Sequence, residues 1–140
     1  MVKDTAKILE ELQACESFKK FYNENNDYMV DATLSQMLNN LLKTKGLKKS
    51  EVIRKSEISE VYCYKIFSGE RKPERNKLLC LILAMGLGID EAQTLLKAAG
   101  YSPLYAKIPF DSALLYALCK GYSVIETNEM LYDYDLEMLG

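Results

Sequence analysis

Hydrophobic residues recur at intervals of three and four along nearly the whole chain, and this spacing limits the fold to one class. In one segment, for example, Leu34, Met37, Leu38, Leu41 and Leu42 fall on a single helical face. Every recognisable segment has this helical spacing, whereas a half-buried strand would alternate polar and apolar residues. Only three prolines interrupt the 140 residues. The sequence therefore predicts an all-α fold, at a length that suits one compact unit.

The periodic segments and the residues that interrupt them predict eight helices. The first is expected from about residue 4 to residue 23, where a polar string, residues 23–27, ends it. The others are expected over about residues 34–45, 49–56, 59–67, 75–85, 91–99, 111–120 and 124–132. Thr33, Asp90 and Asp111 are the predicted N-caps of three of them, because short polar side chains satisfy the first free amides of a helix. Gly46, Gly100 and Gly121 are typical of helix ends.

A weak repeat relates the last two helical pairs. At an offset of 35 residues, Leu79, Leu83, Gly86, Glu91 and Leu96 align with Leu114, Leu118, Gly121, Glu126 and Leu131, and Gln93 aligns with Asn128. Two helical hairpins of the same build would explain the match. Any two amphipathic hairpins can also align this well, so the sequence leaves both explanations open.

The chain contains no histidine, and this absence excludes several classes of function. Histidine is the commonest general base and the commonest metal ligand, so histidine-based triads and imidazole zinc sites are ruled out. Cys15, Cys63, Cys80 and Cys119 lie too far apart for a metal-binding motif, and we expect all four to be reduced. We therefore expect no catalytic residue, no metal and no cofactor.

The charges are divided unevenly along the chain. The net charge is only −2, but the window from Lys43 to Lys77 holds eleven basic and five acidic residues, a local charge of +6, which leaves −8 for the remainder. A local cluster of this kind is typical of phosphate binding, which depends on nearby charges more than on the net charge. It is also typical of a solvated helix surface, and charge alone favours neither explanation.

The sequence predicts a cytoplasmic protein that does not enter a membrane. Its first eleven residues are polar and charged, unlike a signal peptide. The longest uncharged stretch, Leu78 to Ile89, has twelve residues and contains two glycines. A helix that spans a bilayer needs about 20 residues.

One stretch of the basic window resembles the XRE-type, phage-repressor-like helix-turn-helix family. The matching features are Gly46-Leu47 before a short helix, Arg54-Lys55-Ser56 at its end, Ile58-Ser59 before the next helix and Gly69-x-Arg71-x-Pro73 after it. The segment from Asn76 to Leu87 fits the helices that follow in this family.

The resemblance covers roughly residues 34–99 and implies the organisation of the chain. It implies a five-helix repressor-like domain over residues 33–100. An N-terminal helix and linker, residues 1–32, would precede it. A C-terminal helical hairpin, residues 101–140, would follow and pack on the same domain.

The resemblance also implies a function, that of a transcriptional regulator that binds specific sites on double-stranded DNA. In this family the second helix, here residues 59–67, lies in the major groove. By position, Ser59 caps that helix and is itself one of the expected DNA-binding residues, and base contacts fall to Glu60, Val61, Tyr64 and Lys65. Lys49, Arg71 and Lys72 are placed against phosphates, which fix the protein on the duplex without specifying sequence. Such proteins commonly bind as homodimers, and the C-terminal hairpin is the expected surface for self-association or for a protein partner.

Three departures from the family pattern leave a second function open. Glu57 stands where the family has glycine, so a left-handed backbone there would cost about 1–2 kcal/mol. Ile53 replaces the usual alanine. The predicted second helix also carries three aromatic residues, Tyr62, Tyr64 and Phe67. Aromatic residues are common in protein interfaces, so the same scaffold could instead be an interaction module that docks a protein or peptide through them.

Overall fold

The computed structural model describes residues 5–14, 17–19 and 30–140, with the side chains of residues 30–33 left out. These residues form eight α-helices and no strand, which confirms the predicted all-α class. The helices are α1 (Thr5–Ala14), α2 (Val30–Thr44), α3 (Lys49–Ser56), α4 (Glu60–Ser68), α5 (Arg75–Ala84), α6 (Ile89–Ala98), α7 (Pro109–Lys120) and α8 (Val124–Asp133).

The first helix differs from its prediction. α1 ends at Ala14, and Ser17 is not helical although Phe18 and Lys19 are. α1 buries none of its side chains, so tertiary packing does not extend it beyond what a short helix supports alone. Residues 20–29, which include the end of the predicted helix and the polar string after it, lie outside the described residues.

Three predicted helix caps are wrong. Thr33 lies inside α2, which is already helical at Val30. Asp90 lies in the first turn of α6, whose N-cap is Gly88, and the Gly88 amide donates to the Glu91 carboxylate at 3.2 Å. Short polar residues are also tolerated within a first turn, so their presence alone does not fix where a helix begins.

Asp111, the third, lies within α7 because that helix begins earlier, at Pro109. Proline suits the first helical position, where its fixed φ is already helical and its missing amide hydrogen has no helical partner to lose. Asp111 is nearly fully buried, and its carboxylate has partners outside the helix.

A single hydrophobic core runs from α2 to α8. It includes Leu38 of α2, Ile66 of α4, Leu79 of α5, Leu96 of α6 and Leu131 of α8, all nearly or fully buried. α3 packs on α5, and α2 packs on both α4 and α6. In addition, α8 packs on α5 and α7 packs on α6. The hairpin of α5 and α6 is therefore the central layer of the described fold.

The 35-residue repeat is present in the hydrogen bonds of the two hairpins. The side-chain amide of Gln93 donates to the Leu104 carbonyl at 2.9 Å and accepts from the Leu104 amide at 2.7 Å. The amide of Asn128 makes the same pair of bonds with Leu139, at 3.2 and 2.7 Å. Gln93 and Asn128 are 35 residues apart, and so are Leu104 and Leu139.

The backbone turns repeat in the same way. Within the hairpins, the Leu87 amide bonds to the Ile82 carbonyl, and the Tyr122 amide bonds to the Ala117 carbonyl. After α6 and α8, the amides of residues 101 and 136 bond to the carbonyls of residues 96 and 131. Of the two explanations for the repeat, the structure therefore supports two hairpins of the same build.

Candidate nucleic-acid interface

The turn between α3 and α4 is closed by Ser56. Its buried hydroxyl donates to the Ile53 carbonyl at 2.6 Å and accepts from the Ile58 amide at 3.2 Å. Glu57, which lies between Ser56 and Ile58, adopts φ 61° and ψ 21°, the left-handed conformation that the resemblance implied. The turn therefore keeps a strained glutamate in place through the hydrogen bonds of a neighbouring serine.

Ser59 caps α4 as predicted. Its hydroxyl accepts from the Tyr62 amide at 3.3 Å. Cys63, Ile66 and Phe67 bury one side of α4 in the core, so the opposite side faces solvent.

The outward side of α4 carries all four side chains that sequence placed against DNA bases. We call Glu60, Val61, Tyr64 and Lys65 the α4 face; each is exposed, Val61 by 66% and Tyr64 by 45%. At about 100° per residue these positions span an arc of about 140° on the helix. The four predicted base-contacting residues therefore share one surface.

A shallow groove runs along this face between α3 and α4. Tyr64 lines it together with Arg54, Glu57 and Ser59. Arg54 is exposed and adds a cation that sequence analysis had assigned only to the family motif. The groove thus joins a cation of α3 to the α4 face, with the Glu57 carboxylate beside it.

Tyr62 anchors the loop that follows α4. Its hydroxyl accepts from the Glu74 amide at 3.1 Å, and the Arg71 guanidinium lies 4.4 Å from the centre of its ring. The Arg71 amide also donates to the Lys65 carbonyl at 3.2 Å. A guanidinium over an aromatic face is attracted to the ring, so Tyr62 holds both the backbone and the charge of this loop.

Tyr101, which follows this loop in the sequence, also holds it in place. Its hydroxyl donates to the Pro73 carbonyl at 2.6 Å, and the Lys72 ammonium lies 4.7 Å from its ring centre. Lys49, at the start of α3, lies in the same way 5.2 Å from the Phe67 ring. All three residues predicted to contact phosphates are therefore held over aromatic rings.

The aromatic docking surface of the alternative hypothesis is only partly present. Phe67 is buried, so its predicted part in such a surface is wrong. Tyr62 is half-buried, and both its hydroxyl and its ring have partners within the chain. Of the three aromatic residues of α4, only Tyr64 is exposed.

An ion pair that the sequence does not reveal fixes the far end of the loop. The Arg75 guanidinium contacts both oxygens of the Asp111 carboxylate at 3.3 Å and donates to the Ser102 carbonyl at 3.1 and 3.3 Å. The carboxylate also accepts from the Tyr105 amide at 2.9 Å. Arg75 and Asp111 are 36 residues apart, so no local pattern could have paired them.

The thiols of the core are ordinary packing groups. Burial raises the pKa of the Cys63 thiol, although a Ser56 hydrogen bond and the Lys77 charge oppose the shift. Burial also raises the pKa of Cys80 to about 11. Both thiols are therefore neutral near pH 7 and pack as small apolar groups. Together with exposed Cys119 they are free in the described part of the chain, whereas Cys15 lies outside it.

The described residues show neither a metal cluster nor a membrane-spanning helix, and no known protein assigns the chain to a family. Within residues 5–14, 17–19 and 30–140, no cluster of three or more acidic or cysteine side chains could hold a metal ion. None of the helices described is long and apolar enough to cross a membrane. No protein-family model, curated protein or solved structure matches the chain.

Proposed function

We propose that this chain is a transcriptional regulator that binds specific double-stranded DNA sites by placing α4 in the major groove. The observation that carries the proposal is the α4 face, four exposed side chains on one helix surface. In addition, the cations Lys49, Arg71 and Lys72 lie over the aromatic rings of Phe67, Tyr62 and Tyr101. The turn geometry at Glu57 and the cap at Ser59 support it, because they set α4 apart from α3 with its outward side free.

The α4 face has suitable chemistry for base contacts. The major groove is about 12 Å wide and admits one α-helix. In it, the Glu60 carboxylate would accept from cytosine N4, and Val61 would contact a thymine methyl group. Lys65 would donate to guanine or to a phosphate, and the Tyr64 hydroxyl to a phosphate.

The cations beside this face would supply most of the affinity. Lys49, Arg71 and Lys72 would contact phosphates, which releases counterions from the DNA. Because each cation already lies over a ring, less side-chain freedom is lost when it binds. Arg54 at the edge of the groove would add a fourth contact of the same kind.

Two further features belong to this proposal. We expect the protein to act as a homodimer on paired half-sites, since two copies would bring two basic segments to one duplex. We also expect it in the cytoplasm, where buried free thiols such as Cys63 and Cys80 stay reduced.

The alternative is a helix-turn-helix scaffold that docks a protein. The exposure of Val61 and Tyr64 favours it, since an exposed aromatic beside an apolar residue is typical of an interface core. Because Phe67 is buried and Tyr62 has partners within the chain, the docking surface is reduced to Val61 and Tyr64. A protein-docking function also does not explain the cations Lys49, Arg71 and Lys72.

The test is the salt dependence of binding to fluorescent duplexes drawn from the gene's upstream region and to random duplexes. The logarithm of the affinity should fall linearly with the logarithm of salt, at a slope of about −0.9 per phosphate contacted. Lys65→Ala with Arg71→Ala should weaken binding and make that slope less steep by about 2 if each residue contacts one phosphate.

The matched control is Lys19→Ala with Lys107→Ala, which removes the same charge from exposed positions outside the basic window. This variant should bind as tightly as the unaltered protein. The proposal is wrong if upstream duplexes bind no better than random ones and the Lys65 and Arg71 substitutions change nothing.

A further inference from the structure

A connector between the two hairpins holds the basic loop in place. The basic loop, residues 69–74, follows α4, and the connector, residues 99–108, joins α6 to α7. The Tyr101 hydroxyl of the connector donates to the carbonyl of buried Pro73 at 2.6 Å. The ammonium of Lys72, the preceding residue of the loop, lies 4.7 Å from the centre of the Tyr101 ring. One residue of the connector therefore contacts both the backbone of the loop and one of its cations.

The connector is itself held by Asp111, in the first turn of α7. The Asp111 carboxylate accepts from the Tyr105 amide at 2.9 Å and contacts the Arg75 guanidinium at 3.3 Å. That guanidinium also donates to the Ser102 carbonyl, at 3.1 and 3.3 Å. Asp111 is only 4% exposed, and Arg75 comes directly after the basic loop, at the start of α5. A single carboxylate of the second hairpin, α7–α8, therefore joins the connector to the end of the loop.

Neither the construction of the hairpins nor stability explains a charge at position 111. The equivalent residue of the first hairpin, 35 positions earlier, is Asn76, which is uncharged. A buried ion pair often stabilises a fold no more than apolar residues of similar volume, because both charges lose their hydration. The planar guanidinium of Arg75, however, donates to Asp111 and to the Ser102 carbonyl at once, which fixes their relative geometry. The ion pair therefore suits a role in positioning.

We propose that Asp111 and Tyr101 are positioning residues for DNA binding, through which the second hairpin sets the phosphate contact of Lys72. Without the Asp111 carboxylate, Arg75 and the connector would lose their common partner, and Tyr101 would no longer hold the loop and the Lys72 ammonium in one place. The inference rests on the proposed function and extends it, because none of the residues predicted to contact DNA lies in the second hairpin. The affinity for DNA would depend on how that hairpin packs.

The test is titration of fluorescent upstream duplexes with the full chain over a range of salt concentrations. Asp111→Asn removes a negative charge, which by itself would strengthen binding to an anionic duplex. Positioning predicts the opposite sign. The affinity should fall by about three- to tenfold, and the salt slope should become less steep by about 0.9, the value for one lost phosphate contact. Circular dichroism at the titration temperature checks that the variant is folded.

Tyr101→Phe is a milder variant that keeps the aromatic ring beneath Lys72. It removes only the hydroxyl that bonds to Pro73, and it should weaken binding by about twofold or more. A double-mutant cycle with Lys72→Ala separates positioning from a general weakening. Once Lys72 is absent, Asp111→Asn and Tyr101→Phe should each lower the affinity by less than about twofold, because the contact that they position is already lost.

The matched control is Asp133→Asn, which removes the same charge from an exposed position of the second hairpin and should not weaken binding. An Asp111→Asn variant that binds upstream duplexes as tightly as the unaltered protein, or more tightly, would overturn the inference and leave the proposed function intact. Losses that add in full to the loss caused by Lys72→Ala would overturn it as well. If Asp111→Asn does not fold, Tyr101→Phe decides by the same two criteria. If the unaltered protein binds upstream duplexes no better than random ones, the proposed function fails and this inference fails with it.

Discussion

The two hairpins of this protein have the same construction and different surroundings. α5–α6 and α7–α8 have equivalent backbone turns and the same side-chain amide clamp, formed by Gln93 in one and Asn128 in the other. Yet one hairpin is the central layer of the fold, and the other leaves a tyrosine-rich face open. The comparison shows that a few polar clamps and buried leucines specify a hairpin, while the residues on one outer face determine what it can contact.

Tyrosine has opposite roles in the two parts. Around the α4 face, Tyr62 and Tyr101 use their hydroxyls on backbone groups and their rings under cations. On the second hairpin, Tyr116 and Tyr134 are exposed, and the Lys120 ammonium lies 5.6 Å from the centre of the Tyr116 ring. The tyrosines of the first part therefore hold a loop in place, whereas those of the second lie at the surface.

The largest expected effect tests whether both hairpins belong to one core. Leu96→Ala and Leu131→Ala occupy equivalent, fully buried positions, and each should lower the free energy of unfolding by about 2–5 kcal/mol. Urea unfolding followed by circular dichroism measures both. A much smaller loss of stability for Leu131→Ala than for Leu96→Ala would contradict this expectation, because it would mean that the second hairpin contributes little to the common core. Tyr132→Ala, next to Leu131 but exposed, is the control and should change stability by less than about 0.5 kcal/mol.

A smaller effect tests the repeated amide clamps. Gln93→Ala and Asn128→Ala each remove two hydrogen bonds to a backbone amide and carbonyl, and each should cost about 1–2 kcal/mol. Asn40→Ala, at an exposed position of α2, should have little effect. Equal losses at the two clamps would sharpen the comparison. A loss at only one would show that the hairpins share a geometry without sharing what stabilises it.

The smallest effect concerns two left-handed residues that are not glycine. Glu57→Gly should stabilise the protein by about 1 kcal/mol, because glycine adopts this conformation without strain. Asp135 occupies the position equivalent to Gly100, and Asp135→Gly should gain less than about 0.5 kcal/mol, since aspartate tolerates a positive φ better than most residues. Thermal and urea unfolding measure both. A loss of stability in Glu57→Gly would mean that the glutamate side chain contributes to the turn.

Sequence predicted the local features of this fold and missed the distant ones. The bounds of α3, the cap at Ser59 and the left-handed turn at Glu57 depend on residues close in sequence, and all three are confirmed. The caps at Thr33 and Asp111 were wrong because many short polar residues can start a helix and only the surrounding packing determines which one does.

In the candidate site, too, the features set by residues close in sequence could be predicted and those set by distant residues could not. The exposure of the α4 face follows from helical periodicity and could be predicted. The bonds of Tyr62 to Glu74 and of Tyr101 to Pro73 join residues 12 and 28 apart, and the Arg75 to Asp111 pair is separated by 36. No local pattern encodes such contacts, so the ordering of the basic loop was visible only in the structure.

The most direct test of the central proposal, that the α4 face contacts bases while the loop contacts phosphates, is selection of bound duplexes from a random pool. The unaltered protein should enrich one sequence motif. Glu60→Ala and Val61→Ala should relax the motif at one or two positions, each by about 1–3 kcal/mol, whereas Arg71→Ala should weaken recovery of all sequences equally and keep the motif. Enrichment of no motif, or a motif that Arg71→Ala alters and the α4 substitutions do not, would contradict the proposal.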